Sequence, residues 1–224
     1  MSTGFQILKR SRIASAELVA AFSALPVANV SDAMCRMTAG GAALRPMHRS
    51  STMAGVAVTV KTRPGDNLMV HKAINMSGAG DIIVVDAGGD LTNALIGELM
   101  LAYAIKRGIE GIVINGAIRD SGFIRKENFP VYAAGITHRG PLKDGPGEIN
   151  IPIAISGMVI EPGDIIIGDD DGFLAVPYHD AENILQLSQK KYEAEKKLVQ
   201  AIEKGTNDRS WVDKALLDKG CVLE

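Results

Sequence analysis

The chain has 224 residues, of which 46% are hydrophobic and 22% are charged, as is ordinary for a soluble globular protein. Its net charge is −2 and only 4% of its residues are aromatic, so a basic nucleic-acid-binding surface is not expected. The cysteines Cys35 and Cys221 match no zinc or redox spacing. No apolar run suits a signal peptide or a membrane span. These observations predict a cytoplasmic protein with no nucleic-acid or membrane partner.

The first part of the chain predicts two helices, a strand and a third helix. Ser15 is a typical helix N-cap, and Pro26 ends the first helical pattern. Alternating apolar residues then predict a strand, and a turn rich in Pro, Gly, Asp and Asn leads into the third helix. The predicted ranges are helix 15–25, helix 29–37, strand 52–61 and helix 68–76.

The stretch from Asp81 to Asp120 predicts a strand, a helix and a second strand. The apolar runs 82–85 and 112–114 are rich in β-branched residues, which favours buried strands. The pattern Glu98–Lys106 between them is helical, with Gly97 before it and Gly108 after it. A strand, helix and strand at this spacing predict a crossover unit with parallel strands.

Two features of this unit predict a binding site. The helix opens with Gly97, Glu98, Leu99 and Met100, whose backbone N–H groups and helix dipole would attract an anion. Directly after the second strand, Arg119-Asp120 places a cation beside an anion, at the strand ends where open parallel sheets bind ligands. The stretch is therefore interpreted as a holder for a small carboxylate and a metal ion.

The rest of the chain predicts a short helix, several short strands and a helical tail. A polar, Gly- and Pro-rich segment at 135–147 is too long to be only a connector, so a functional loop is expected. The short strands after it predict a β-meander, and a long helix follows from about 180 to 204. We therefore predict one α/β domain over residues 1–224, with a helical tail over about 180–224. The remaining predicted elements are helix 121–128, the strands 130–134, 151–155, 158–160, 165–167 and 173–176, and a last helix from Ser210.

Several segments together resemble one known family. They are GDNLMVHKAI, DIIVVDAGGDLTNALIGELM, GIEGIVINGAIRD, FPVYAAGITHRGPLKDGPGEIN and PGDIIIGDDDGFLAVP. In this order they resemble the RraA-like family, and within it the 4-hydroxy-4-methyl-2-oxoglutarate aldolase branch. That branch carries an acidic residue, twenty intervening positions and then Arg-Asp, a pattern that Glu98 and Arg119-Asp120 match with Glu where Asp is commoner.

The resemblance implies a fold, a reaction and an assembly. The implied fold is a swivelling β/β/α domain like phosphohistidine domains. The implied activity is a class II pyruvate aldolase that uses Mg²⁺ or Mn²⁺ to cleave 4-hydroxy-4-methyl-2-oxoglutarate, or 4-carboxy-4-hydroxy-2-oxoadipate, with oxaloacetate decarboxylation as a side reaction. The implied assembly is a homotrimer or homohexamer with active sites at subunit boundaries. There an acidic residue of the neighbouring C-terminal helix, here Glu195 with Glu193 as the alternative, reaches the metal through water.

The chemistry of the reaction assigns roles to the candidate residues. Cleavage leaves the enolate of pyruvate, so the catalyst must stabilise charge on the keto oxygen. Asp120 would bind the metal directly, and Glu98 would anchor a metal-bound water. The guanidinium of Arg119 and the amides of residues 97–100 would hold the substrate, a small 2-oxo acid. Asn67 and His71 are further candidates for the pocket, although Asn after a turn and His on a half-buried helix are more often structural. Lys143 and Asp144 could form a lid, but a solvated loop explains them at least as well.

Two other classes of function fit parts of the sequence. A non-catalytic regulator that binds a ribonuclease, as the family's namesake does, would have no need of Arg119-Asp120. A methyltransferase is suggested by VVDAGGD, but Gly88-Gly89 lacks the wider glycine pattern of an adenosyl-cofactor site. The general base of the aldolase reaction is not identifiable from the sequence.

Overall fold

The computed structural model describes residues 3–37 and 41–223, which fold as alternating strands and helices. The strands are β1 Gln6–Ile7, β2 Arg45–Pro46, β3 Met53–Thr62, β4 Asp81–Asp86, β5 Gly111–Ile118, β6 Val131–Ile136, β7 Gly147–Ile149, β8 Ile153–Ile155, β9 Met158–Ile160, β10 Ile165–Asp169 and β11 Gly172–Val176. The helices are α1 Ala16–Ser23, α2 Val27–Ala33, α3 Leu68–Met76, α4 Glu98–Lys106, α5 Ser121–Glu127, α6 Ala181–Glu203 and α7 Ser210–Asp218.

The middle of the main sheet consists of the parallel strands β3, β4, β5 and β6, in that order. The predicted crossover unit is confirmed, because β4 and β5 pair in parallel from Ile82 opposite Gly111 to Asp86 opposite Asn115. β3 is long enough to pair antiparallel with β10 at its start and with β7 at its end. The carboxyl ends of the parallel strands therefore share one edge, and the chain leaves β5 there to form α5.

Both faces of the parallel strands are buried, which explains their continuous apolar sequences. Ile83 and Ile114 point to one face, where they pack with side chains of α3, α4 and α5. Ile82 and Val84 point to the other face, where they pack with side chains of α1, α2, β10 and β11. Each fully buried isoleucine contributes about 1.5–3 kcal/mol to folding, so these layers fix the sheet that carries the site.

Two sequence predictions need correction. The predicted β-meander is two separate hairpins: β8 pairs with β9 in a two-stranded sheet, whereas β10 pairs with β11 and joins the main sheet through β3. The second helix spans Val27–Ala33 rather than 29–37, because Cys35 and Arg36 adopt left-handed backbone angles, with φ of 59° at each, and end it. The other predicted helices and strands have counterparts at similar positions, and the mixed α/β fold is confirmed.

The chain divides into two compact units after Ser188, a boundary that falls within α6. The second unit contains the end of α6 and α7, and it corresponds to most of the predicted helical tail. Among the described residues, no helix combines the length and the hydrophobicity that crossing a bilayer requires.

Candidate active site

The segment before α4 runs alongside the end of β5 and brings the two predicted motifs together. The amide of Leu95 donates to the carbonyl of Ala117 at 2.9 Å, and the amide of Arg119 donates to the carbonyl of Ile96 at 3.0 Å. These bonds continue the parallel pairing along the end of β5 as far as Arg119, and Ala94 forms a parallel bridge with Ala117. The first turn of α4 and the pair Arg119-Asp120 therefore lie next to each other.

Asp120 directs its carboxylate at the N-terminus of α4. It precedes α5 but forms no capping bond with that helix, and its backbone is left-handed, with φ 54° and ψ 40°. Its Oδ2 instead accepts a hydrogen bond of 2.9 Å from the amide of Glu98. A carboxylate at a helix N-terminus is favoured by the helix dipole, which holds this side chain in place. Within the described residues Oδ1 of Asp120 accepts no hydrogen bond, so it is available to a ligand.

Arg119 lies beside the same carboxylate with its guanidinium accessible. Its Nε is 3.7 Å from Oδ2 of Asp120, and the two side chains are 44% and 41% exposed. At this exposure the ion pair adds little to stability, since water screens it. The guanidinium therefore remains able to bind an anionic ligand with its planar set of donors.

Residue 97 must be glycine because the side chains of Arg119 and Asp120 come very close to its Cα. A Cβ at residue 97 would lie 2.4 Å from Oδ2 of Asp120 and 3.0 Å from Cγ and Nε of Arg119. The φ of Gly97 is −157°, which any residue adopts, so space rather than backbone strain selects glycine here.

The first turn of α4 leaves free donors at this point. Gly97 provides no side-chain cap, and in the part of the chain that the structure describes the amides of Leu99 and Met100 have no acceptor. Helix N-termini with unsatisfied amides bind anions readily. The side chain of Leu99, in this turn, is 84% exposed.

These groups open onto a cavity of about 140 Å³. Drug-sized ligands occupy pockets of roughly 300–1,000 Å³, so this cavity suits a much smaller acid. A larger cavity of about 620 Å³ beside α1 contains none of the predicted site residues, and its Asp81 is already paired with Arg10 at 2.6 Å. The residues lining the smaller cavity are Asn67, His71, Ala94, Leu95, Ile96, Gly97, Leu99, Met100, Arg119, Asp120, Pro141 and Lys143.

Asn67 and His71, at the start of α3, also line the cavity. The side chain of Asn67 donates through Nδ2 to the carbonyl of Leu95 at 2.8 Å, whereas its buried Oδ1 has no partner. The buried Nε2 of His71 also has no partner. Burial and the positive charge of Lys143 lower the pKa of His71, which favours a neutral imidazole. The sequence offers Asn67 and His71 equally as residues that could line the pocket, and the structure places both of them there. Lys143, for which the sequence leaves a lid and a solvated loop open, also lines the cavity.

The loop of residues 137–146 is held over the cavity by the buried side chain of Asp66. Oδ2 of Asp66 accepts hydrogen bonds from the amides of Asp144 at 2.7 Å and Gly145 at 2.9 Å. Burial raises the pKa of Asp66, but these amides, that of Leu68 and the charge of Arg63 outweigh burial and lower its pKa overall. The carboxylate form therefore fixes the part of the loop that places Pro141 and Lys143 at the cavity.

Asp66→Asn should lower the free energy of unfolding at pH 7 by about 1–3 kcal/mol, because charge-assisted bonds to buried amides are lost. The folded-state pKa of Asp66 is lowered, so its contribution is present above the unfolded-state pKa and is lost as the pH falls through the folded value. Denaturant titrations should therefore show the two proteins converging below about pH 4. The matched control is Asp144→Asn, because that carboxylate is 71% exposed and should change stability little. A constant difference across the pH range would contradict this account.

Glu98 and Glu195 are the two acidic candidates for the outer shell of a metal. Glu98 is exposed, and only its amide, not its side chain, contacts Asp120. Glu195 belongs to α6 and lies 3.3 Å from Lys191 in the second unit. Their predicted roles in binding metal through water stay predictions.

A divalent metal at this site would depend on few protein ligands. The described residues contain no cluster of three or more His, Cys, Asp or Glu side chains that could enclose an ion. Mg²⁺ commonly binds to one or two carboxylates and takes its other ligands from water and substrate. Asp120 suits that kind of site, because its side chain is 41% exposed and its Oδ1 accepts no hydrogen bond from the described residues.

Comparisons with known proteins give consistent matches. A model of the RraA-like family, described as aldolase/RraA, matches residues 27–175, a range that contains every site residue above except Glu195. A Halalkalibacterium halodurans protein, provisionally named a 4-hydroxy-4-methyl-2-oxoglutarate aldolase, is 37% identical over 206 residues, covering 92% of this chain and 96% of the relative. A Thermus thermophilus protein named 4-hydroxy-4-methyl-2-oxoglutarate aldolase is 35% identical over 112 residues, covering 50% of this chain and 68% of the relative. The solved structure of an RNA-processing inhibitor RraA from Thermus thermophilus is 29% identical, with a TM-score of 0.63 over 68% of this chain and 92% of that chain.

Proposed function

This chain belongs to the RraA-like family, and on that premise we propose that it is a divalent-metal-dependent aldolase, a carbon–carbon lyase. Its substrate would be 4-hydroxy-4-methyl-2-oxoglutarate, or the related 4-carboxy-4-hydroxy-2-oxoadipate, and its products pyruvate and a second 2-oxo acid. The aldolase names of the two relatives support this class of reaction.

The observation that carries the proposal is the meeting of three kinds of group at one cavity. The unsatisfied amides of Leu99 and Met100, the guanidinium of Arg119 and the carboxylate of Asp120 all line it. A 2-oxo acid presents a carboxylate and a neighbouring keto oxygen, which need donors and positive charge. The cavity provides hydrogen-bond donors and positive charge close enough together for one small ligand to contact them all.

Each group has a distinct part in the proposed reaction. The amides of α4 and the planar guanidinium of Arg119 bind the carboxylate of the pyruvyl half and orient its keto oxygen. Asp120 would hold the metal, Mg²⁺ or Mn²⁺, and Glu98 would anchor a water bound to it. The negative charge that develops on the keto oxygen as the carbon–carbon bond breaks would be stabilised by the bound metal as Lewis acid. Oxaloacetate decarboxylation forms the same enolate, so we expect it as a side reaction.

The surroundings of the site support an assembly in which a second copy of the chain covers it. Leu99 and Tyr103 lie one turn apart on α4 and are 84% and 45% exposed. Apolar side chains beside a binding site often mark a protein–protein contact. We propose a trimer or hexamer whose neighbouring subunit brings Glu195 towards the metal.

A second candidate function is regulation of a ribonuclease by direct binding. It is favoured by the likeness to the solved structure described as an RNA-processing inhibitor. The grouping of Arg119 and Asp120 at a cavity favours the aldolase over the regulator, because a protein that only binds a ribonuclease has no use for a site that binds a small acid.

The experiment is a coupled pyruvate assay on the purified protein with a panel of substrates. The panel contains 4-hydroxy-4-methyl-2-oxoglutarate, 4-carboxy-4-hydroxy-2-oxoadipate and oxaloacetate, each with added Mg²⁺ or Mn²⁺. We expect pyruvate from all three and the highest catalytic efficiency with a branched hydroxy acid. No pyruvate from any of them, together with inhibition of a ribonuclease, would favour the second candidate.

Gly97→Ala should lower kcat/KM for pyruvate release by roughly 100-fold, since displacing a reacting group by about 1 Å can cost that much. The added methyl group would overlap Oδ2 of Asp120 and push the carboxylate away from the amide of Glu98. Steady-state kinetics at saturating metal measure the effect, and thermal melting checks the fold.

Gly122→Ala is the matched control for this substitution. Gly122 lies in α5, two residues after Asp120, and a Cβ there would meet no atom within 4 Å. We expect its activity to equal that of the unmodified protein. Equal kinetics for the two alanine variants would show that the space beside Asp120 is not needed.

A further inference from the structure

A row of polar side chains crosses five strands of the main sheet. Lys61 on β3 lies directly opposite Asp86 on β4 and Glu148 on β7. The row continues to Asn115 on β5, opposite Asp86, and to Gln6 on β1, opposite Glu148. Residues directly opposite each other on neighbouring strands project from the same face of a sheet. These five side chains therefore form one polar row, near the carboxyl ends of β3 and β4.

The polar row lies on the other face of the sheet from the cavity of Arg119 and Asp120. Asp86 follows Val84 by two residues, so it shares the face that packs with α1, α2, β10 and β11, whereas that cavity is lined by the starts of α3 and α4. The strand order also changes direction at β3, because β4, β5 and β6 lie on one side of it and the next strand, β7, lies on the other. Open α/β sheets bind ligands at the strand carboxyl ends at such a point.

Asp86 fixes the ammonium group of Lys61 in the polar row. Its buried carboxylate accepts hydrogen bonds from Lys61, from the amide of Gly88 at 3.0 Å and from Nδ2 of Asn115 at 2.9 Å. Burial raises the pKa of Asp86, but these three bonds outweigh burial and lower its pKa overall, so the group stays ionised. An ammonium group has three protons, and in the described structure Lys61 donates only to Asp86. The side chain of Lys61 is 48% exposed and therefore has donors left for an anionic group.

Glu148 provides a negative charge on the other side of Lys61. Its Oε1 accepts a hydrogen bond of 2.6 Å from Nε2 of Gln6, which fixes the carboxylate. Among the described residues its Oε2 accepts no hydrogen bond, and no ion pair joins Glu148 to Lys61. Neighbouring strands are about 4.7–4.9 Å apart, so one small ligand could contact both charges. That ligand would need an anionic group for Lys61 and a cationic group for Glu148.

The charged end of the polar row opens onto a cavity of about 540 Å³ with an apolar wall. Lys61, Asp86 and Glu148 line one side of it, and the hairpin of β8 and β9 provides Ile153 and Val159 on the other. Val159 is 61% exposed, so its side chain is accessible to a ligand. Small-molecule pockets commonly measure roughly 300–1,000 Å³. The cavity therefore suits a small molecule that carries two opposite charges beside an apolar body.

We propose that this cavity binds a small apolar α-amino acid, such as leucine. The carboxylate of the amino acid pairs with Lys61, its ammonium group pairs with Glu148, and its side chain packs against Ile153 and Val159. A free amino acid carries both charges on one carbon atom, which the end of a peptide chain does not. The site is separate from the proposed cleavage site, and its occupation does not depend on aldolase activity.

The test is isothermal titration calorimetry of the purified full-length protein with leucine and two analogues. 4-Methylpentanoate lacks the ammonium group, and 3-methylbutan-1-amine lacks the carboxylate. We expect saturable binding of one leucine per chain. Each analogue should bind roughly 10- to 100-fold more weakly, because each loses a charge-assisted hydrogen bond.

Two variants test the charged contacts of the amino acid. Glu148→Gln should weaken leucine binding by roughly 10- to 100-fold, because it removes the charge but can keep the bond with Gln6. Lys61→Met should have a similar effect, and thermal melting checks its fold because Asp86 loses a partner. Glu148→Gln decides the question if Lys61→Met does not fold. Lys72→Met is the matched control for loss of a lysine charge, because Lys72 is exposed on α3 and does not line the cavity.

Asp120→Asn tests the location of the site, because Asp120 lines the other cavity. We expect this variant to bind leucine as the unmodified protein does. The proposal is overturned if leucine shows no saturable binding, or if either analogue binds as tightly as leucine. It is also overturned if folded Glu148→Gln binds leucine unchanged, or if Asp120→Asn loses the binding.

Discussion

Asp120→Ala should reduce metal-dependent turnover by roughly 1,000-fold or more, because the cavity then has no anionic ligand for a cation. Asp120 is the only carboxylate among the described residues that line the cavity, and the described ranges contain no group of three or more His, Cys, Asp or Glu side chains that could hold an ion elsewhere. Steady-state pyruvate release over a range of Mn²⁺ concentrations measures the loss. Metal binding, followed by the electron paramagnetic resonance of free Mn²⁺, should weaken in parallel.

Alanine at this position also removes the bond to the amide of Glu98 and places a less suitable residue in a left-handed conformation. The change should therefore cost about 1–2 kcal/mol of stability. Asp120→Asn separates the effects, because asparagine tolerates that conformation and its carbonyl can still accept the bond. We expect Asp120→Asn to be as inactive as the alanine variant yet nearly as stable as the unmodified protein. Substantial metal-dependent activity in Asp120→Asn would refute the role given to the carboxylate.

Arg119→Lys should lower kcat/KM by about 100-fold or more, although the charge is kept. A lysine provides one compact ammonium group, whereas the guanidinium presents parallel donors that match a carboxylate or a keto acid. Most of the loss should fall on KM for the 2-oxo acid if Arg119 mainly binds, and on kcat if it mainly orients the keto oxygen. Steady-state kinetics at saturating metal measure the two constants.

Arg139→Lys provides the comparison for this change. Arg139 is exposed on the loop of residues 137–146, and its hydrogen bonds in the described structure, to Ala94 and Thr137, use its backbone and not its guanidinium. We expect this variant to behave as the unmodified protein. Near-normal catalytic efficiency in Arg119→Lys would mean that the guanidinium does not hold the substrate.

Local sequence signals predict the scaffold of the site well. The bounds of α3 and α4 match the predicted ranges 68–76 and 98–106, because turn residues and glycines bound each helical pattern. The parallel pairing of β4 and β5 follows from one helix of suitable length between two apolar strands. The proximity of residues 97–100 to Arg119-Asp120 was a consequence of that topology, and the structure places them at one cavity.

Features that depend on contacts between residues far apart in the sequence cannot be predicted from local sequence signals. The left-handed conformation of Asp120 and its bond to the amide of Glu98 need the tertiary arrangement of α4 and β5. The unpartnered atoms of Asn67 and His71 appear only when the side chains are packed, since both residue types are usually structural at such positions. The two separate hairpins after β7 were missed because short apolar strands do not reveal their partners.

The most direct measurement of the central claim is pyruvate release from 4-hydroxy-4-methyl-2-oxoglutarate before chelator, after chelator and after metal is restored. We predict that removing divalent metal abolishes release, that Mg²⁺ or Mn²⁺ restores it, and that neither ion restores it in Asp120→Asn. Release that persists in the chelated protein, or that metal restores equally in Asp120→Asn, would contradict the assignment of Asp120 to a metal-dependent cleavage site.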